Sequence, residues 1–443
     1  MGRPMSDPAT VTGDGAMRLS AAPVGPARVR DPRLDFFRGI AMFIIFIAHT
    51  PRDAWALWIP ARFGFSDATE TFVFCSGMAS ALAFGGVFAS RGWWMGAARI
   101  VYRVWQVYWA HIALFLAIFV LMVAFDAAGD TLHGERWKGS YVASLNLVPL
   151  IKRPDEQLLG LLTLTYVPNY FDILPMYLVI LALIPLVMAL ARVSLWAVAF
   201  LVAGLWSLAN LHLVGLDPVN FPAEPWSQRA WFFNPLGWQL VFFTGFAFMR
   251  GWIPAPPVDR RLVILAAFVT LATVPFAWHV VLREVPALRE AAGALKPLTG
   301  KTSFGILRYV HFLSTAYLAW VAVGPLGSRL QGWGAGQVIV DIVRKVGQQS
   351  LAVFVASLVV AQLVGMAFRV NGNDWPMLLV GNLCGFAVLI GVAYTVAWFK
   401  GQPWRKPAMQ PPRREVAGSP TQSPVSLPDA GRVSGPVTGV GTS

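Results

Sequence analysis

The sequence predicts an all-α polytopic integral membrane protein, a bundle of about ten transmembrane helices with both termini in the cytoplasm. Three observations predict it. The 443 residues are 56% hydrophobic and only 13% charged, against roughly 25% charged in a soluble domain, so a water-facing surface could not be covered. Mean hydropathy is +0.58. Apolar stretches of about 20 residues, the length that crosses a bilayer, recur along the whole chain. Length alone would suggest about three domains, but the stretches follow one another as one bundle.

In order, the predicted spans are about 36–56, 68–89, 102–125, 171–191, 194–213, 236–250, 262–282, 306–325, 348–368 and 377–399, and 158–168 is a further apolar stretch that could dip into the membrane. Basic residues flank them asymmetrically. Arg28, Arg30 and Arg33 precede the first span, Arg91 and Arg99 follow the second, and Arg192 follows the fourth. Arg250, Arg260 and Arg261 follow the sixth, Arg329, Arg344 and Lys345 the eighth, and Lys400, Arg405, Lys406, Arg413 and Arg414 the tenth. With an even count all fall on one side, which the positive-inside rule makes cytoplasmic. Loops 126–157 and 283–301 mix both signs and would face outside. The net charge of +13 is therefore read as topology control. No soluble module gathers it into a nucleic-acid face. Residues 1–30 and 401–443, rich in proline and glycine with no long apolar core, read as disordered cytoplasmic tails around a membrane domain at 31–400. Cys75 and Cys384 lie in apolar spans and give neither a disulfide framework nor metal-ligand spacing. They read as small apolar residues.

Candidate chemistry begins at DFFRGIAMFIIFIAHTP, residues 35–51. Asp35 and Arg38 are helix neighbours. Arg38 and His49 stand eleven residues apart, three turns and roughly 16 Å along one face, with Asp35 within about 40° of it. One helix would thus carry an Arg–Asp pair near the cytoplasm and an imidazole deeper in, lining one cavity open to the cytosol, since ionisable groups in a membrane face polar interiors. The plainer alternative makes Arg38 a topology anchor and His49 an interfacial residue. The second span opens at the same depth as His49 with GFSDATETFVFCSG. Here Asp67 as N-cap with Glu70 reaching back forms a capping box. Alternatively Glu70 pairs with His49 in a nucleophile-activating dyad, and both can hold. Ser76 and Gly77 permit close helix packing, and Ser76 offers a hydrogen-bond donor.

These residues carry a resemblance. Arg38, ten residues and His49 match the arginine–ten–histidine motif of the membrane acyltransferase-3 superfamily, and LDFFRG (34–39) and TFVFCSGM (71–78) resemble two more of its motifs. The chain more closely resembles the OpgC family, through DPRLDFFRGIAMFIIFIAH, FGFSDATETFVFCSG, FDILPMYLVILALIP, NPLGWQLVFFTG, LRYVHFLSTAYLAW and VGQQSLAVF, in order from about 31 to 399. The resemblance implies transfer of acyl groups, typically succinyl, from acyl-CoA to osmoregulated periplasmic glucans by a ten-span bundle in the bacterial inner membrane. It implies His49 as catalytic base and Arg38 in donor binding or active-site architecture. No tightly bound cofactor is expected, because acyl-CoA is a substrate. The expected partners are acyl-CoA, a periplasmic glucan or other envelope glycan, and membrane lipid. The chemistry fits: a hydroxyl is a poor nucleophile, so a neutral imidazole must take its proton as it attacks the thioester. The donor's phosphates suit Arg38, Arg91, Arg99 and Arg103, with its extended arm reaching towards His49. Donors to the tetrahedral oxyanion are not identifiable from the sequence.

Other polar residues in the spans have two readings. His111 in the third span is a cavity candidate or a packed histidine. Asp172, before Pro175, reads as a helix cap. His311, one turn beyond Arg308, is a pocket candidate. His133, His212 and His279 read as structural or interfacial. The 19 tryptophans read mainly as aromatic belts, with sugar stacking the alternative for Trp226 and Trp231. The rival function is a proton-coupled secondary transporter with His49 in a relay, although the internal repeat common in transporters is not visible.

Overall fold

The start and stop signals in the chain decide how much of each apolar stretch becomes helix. The computed structural model describes residues 31–129, 139–331 and 334–405. His133 and most of the two predicted tails lie outside the described residues. Residues up to Lys400 form one unit and 401–443 a second.

All ten predicted spans contain a helix. Asp31 caps α1 (Pro32–His49) by accepting the Arg33 N–H at 3.0 Å, and Pro32 fills the first turn, where a missing N–H costs nothing. Then follow α2 (Ala68–Ser90), α3 (Gly92–Ala127), α4 (Ile173–Val193), α5 (Leu195–Ala209), α6 (Pro235–Arg250), α7 (Arg260–Ala272), α8 (Ile306–Val323), α9 (Ala335–Gln348), α10 (Ser350–Asn371) and α11 (Trp375–Gly401). Six of these, α2, α3, α4, α8, α10 and α11, are long and apolar enough to cross a membrane. The other four expected spans are α1, α5, α6 and α7. Of these, α1 carries Arg33, Asp35 and Arg38 in its first two turns, and α7, at 13 residues, reaches only about 20 Å where a bilayer core needs about 30 Å. The reason is local. The expected span 262–282 meets Pro275, and the chain turns there through a 3₁₀ segment, Val274–Phe276. Likewise α6 is bounded by the Asn234–Pro235 cap and by Gly251 in the left-handed region. The expected set omits α9, an amphipathic helix that exposes Val338 and Ile339 and packs Val346 and Gly347 inward.

Two helix pairs approach to backbone contact. Gly77 of α2 lies on the Phe242 carbonyl of α6, and Gly245 of α6 on the Phe74 carbonyl of α2. Gly39 of α1 lies on the Val343 carbonyl of α9, and Gly347 on that of Asp35. This is the small-residue packing expected at the Ser76–Gly77 position. A Cβ at Gly77 would overlap main chain, which cannot yield as a side-chain tip can. Gly77→Val is therefore expected to cost at least about 1–3 kcal/mol, read as a fall in the Tm of the detergent-solubilised protein. Gly86→Ala, where a Cβ meets nothing, should leave it unchanged or slightly raised.

Candidate active site

His49 is the last residue of α1. Its Nδ1 stands 2.8 Å from the Ile45 carbonyl. A carbonyl only accepts, so the proton sits on Nδ1 and the lone pair on Nε2, which is the tautomer a general base requires. The ring packs edge-on against Tyr170, with centroids 5.4 Å apart. Tyr170 has φ of 86°, a left-handed conformation costing about 1–3 kcal/mol in a bulky residue. Its hydroxyl donates to the Leu358 carbonyl at 2.8 Å, which holds it there.

A cavity of about 300 Å³ opens beside the imidazole, lined among others by Thr69, Asn169, Asp172, Lys301 and Phe354. Two loops close it, joined by Arg229. That guanidinium donates to the Asn169 side chain at 3.2 Å and the Val167 carbonyl at 2.6 Å, and pairs with Glu224 at 3.3 Å. Burial alone would raise the Glu224 carboxyl, but Ser227, Arg229 and Asn146 hold it below its ordinary value. Trp231 is buried against Val167 and Ala223, so it belongs neither to an aromatic belt nor to a sugar platform. Trp226 is exposed and packs on Tyr166.

At the start of α2 the capping box forms. Asp67 accepts the Thr69 N–H at 2.6 Å, and Glu70 accepts the Asp67 N–H at 2.7 Å. The expected Glu70–His49 dyad does not form. The second Glu70 oxygen accepts from Arg308 at 2.6 Å, the carboxylate is fully buried, and the imidazole's Nδ1 goes to a backbone carbonyl instead. Asp67 also accepts from Lys301 at 2.5 Å and lies 4.0 Å from Arg308. Burial would raise the Asp67 carboxyl, but Lys301 and Arg308 hold it well below the usual carboxylate range. Lys301 and Arg308 were unrecognisable as partners because more than 230 residues separate them from α2.

Asp172 does not cap α4 with its side chain. Its carboxylate accepts the Phe232 N–H at 2.8 Å and lines the His49 cavity. His311 lies outside the cavity lining. Its Nδ1 receives the Ser66 N–H at 3.2 Å and faces the Ser66 hydroxyl at 2.7 Å, tying the approach to α2 onto α8. His111 is fully buried, with no hydrogen-bond partner at either ring nitrogen among the described residues, and it too lies outside the lining. His212 rests on the Pro297 carbonyl at 3.1 Å.

Three turns away, Arg38 donates to the Ser350 hydroxyl, and Asp35 accepts from Gln348 at 3.4 Å. Lys400 donates to Gln349 at 2.7 Å and lies within the field of Arg103. The α9–α10 junction, GQQS, thus gathers Arg38, Asp35 and Lys400, while Arg103 donates to Gln106 at 3.2 Å and Arg99 is exposed. Ser76 is buried beside Gly77. Arg38 is not among the residues that line the cavity beside His49. Met42 and Ile45, between them on α1, are buried. Phe354, one turn beyond Ser350, stacks on Phe72 with centroids 5.6 Å apart. Ile45 and Phe354 also line the His49 cavity.

A protein-family model described as OpgC protein matches residues 30–401. No curated protein and no solved structure matches the chain.

Proposed function

The chain belongs to the OpgC family, and from that premise we propose that it is a membrane O-acyltransferase that moves an acyl group, typically succinyl, from acyl-CoA to hydroxyls of a periplasmic glucan. Family membership points to a glucan-modifying acyltransferase, and the six apolar helices to a membrane protein. The observation that carries the reading is His49, tautomerically set with Nε2 as base beside a cavity of about 300 Å³.

In this reading the acceptor hydroxyl enters beside His49, which takes its proton as the oxygen attacks the thioester carbon. The imidazolium then returns that proton to the departing thiolate. Asp172, the acidic residue on the cavity wall, favours the transient imidazolium. The donor's phosphates bind at the basic end formed by Arg38, Arg103 and Lys400. Its arm extends from there towards His49. An even number of crossings, cytoplasmic termini and an inner-membrane location complete the reading. A reporter fused after Lys400 should be active only on the cytoplasmic side.

The direct test is purified protein with labelled acyl-CoA and glucan. Acyl transfer or acyl-CoA hydrolysis supports the enzyme, and proton-coupled uptake without acyl chemistry supports the transporter. Mass spectrometry of cellular glucans and other envelope glycans, with and without His49, identifies the acceptor. Arg38→Ala should raise the donor KM about 10- to 100-fold, the loss of one charge-assisted hydrogen bond, with kcat changed far less. An unchanged donor KM would remove the phosphate role.

A further inference from the structure

Resting on the acyltransferase reading, we infer that Lys301 is a catalytic residue that donates a hydrogen bond to the thioester carbonyl oxygen as it becomes the tetrahedral oxyanion. Lys301 and His49 line the same cavity. An ammonium carries three donors, and Lys301 uses one on Asp67 at 2.5 Å. Among the described residues that carboxylate is its hydrogen-bond acceptor, which leaves two of the three donors for the cavity. Its position is set twice over. Asp67 is fixed by the capping box of α2, and the Lys301 carbonyl accepts the Trp238 indole N–H at 2.8 Å. A donor fixed before the reaction is what oxyanion stabilisation demands, because it needs no reorganisation as charge develops.

The electron count closes without another reactant. The acceptor C–OH oxygen bonds to the carbonyl carbon, its proton passes to His49 Nε2, and the carbonyl π pair moves onto oxygen opposite Lys301. When the intermediate collapses, that pair reforms C=O, the C–S bond breaks, and the thiolate takes the proton from His49. Lys301 keeps its own proton throughout.

The test compares wild type, Lys301→Met, Lys301→Gln and Lys301→Arg with succinyl-CoA and acetyl-CoA, following both transfer to glucan and donor hydrolysis. For Met and Gln, kcat should fall about 10²–10³-fold with both donors and in both reactions. The donor KM should stay near wild type, the Tm should fall because Asp67 loses its ion-pair partner, and Arg should recover part of both the rate and the Tm. The Gln variant retains a hydrogen-bond donor to Asp67, so it remains informative if Met fails to fold. Loss confined to succinyl-CoA would show a reader of the acyl carboxylate, and loss confined to KM or to Tm a structural residue. Either result, or an unchanged kcat, overturns the inference. Wild-type protein inert towards both donors would instead sink the acyltransferase reading itself.

Discussion

Replacing His49 with alanine is expected to lower kcat for acyl transfer about 10²–10⁴-fold, the contribution of a positioned general base, while the protein still folds and still binds donor. The separation of effects follows from where the residue sits. Its one hydrogen bond among the described residues lies within its own turn, to Ile45 at 2.8 Å, and its contact with Tyr170 is an edge-on ring contact. Truncation should therefore cost about 1 kcal/mol or less in stability. The donor's charged end would bind roughly three turns away, at Arg38 and the α9–α10 junction, so donor affinity should be preserved. Alanine also enlarges a cavity already of about 300 Å³, which leaves room for free imidazole. Added imidazole should restore part of the lost rate in a saturable way. A folded His49→Ala protein that transfers acyl groups at the normal rate would remove the mechanism. A loss of activity that tracks a loss of Tm, without rescue, would reduce His49 to a packing residue against Tyr170.

What the sequence made legible was local. The first-span face of Asp35, Arg38 and His49, and the Asp67–Glu70 box, depend on spacings of three and eleven residues that any helix enforces. Gly77 was legible for the same reason. The helices themselves were legible as apolar runs, but α7 came out short because Pro275 falls inside the expected run. What escaped notice was everything set by contacts across the bundle. Arg308 takes Glu70 away from His49, Lys301 reaches the cavity from the loop before α8, and Asp172 turns from a helix cap to a cavity wall because the Phe232 N–H meets it there. The packed Phe72–Phe354 pair escaped for a related reason: an apolar position reads the same whether it seals a passage or lines one.

Arg308→Met is expected to destabilise the protein by about 3–5 kcal/mol, the cost of leaving a buried carboxylate without its partner. Glu70 is fully buried and its Arg308 contact, at 2.6 Å, has only 12% of the arginine side chain exposed, so solvent cannot replace the lost charge. The remaining cation, Lys301, pairs with Asp67. Glu70→Gln should cost less, because an amide oxygen can still accept the Asp67 N–H and complete the cap. The double variant should then be more stable than the two single losses sum to, since removing the buried negative charge removes the penalty that Arg308→Met exposes. Arg308→Lys should fall between, as an ammonium cannot reproduce a guanidinium's simultaneous reach to Glu70 and Asp67. Thermal unfolding of the four proteins in detergent measures the cycle. Additive losses would mean that the two groups do not interact as the geometry requires. Because Asp67 lies between this pair and Lys301, any Arg308 variant that remains folded should also lower kcat, by loosening the ammonium that faces His49. A folded Arg308→Met protein with wild-type kcat would separate the ion-pair network from catalysis and leave it a fastening between α2 and α8.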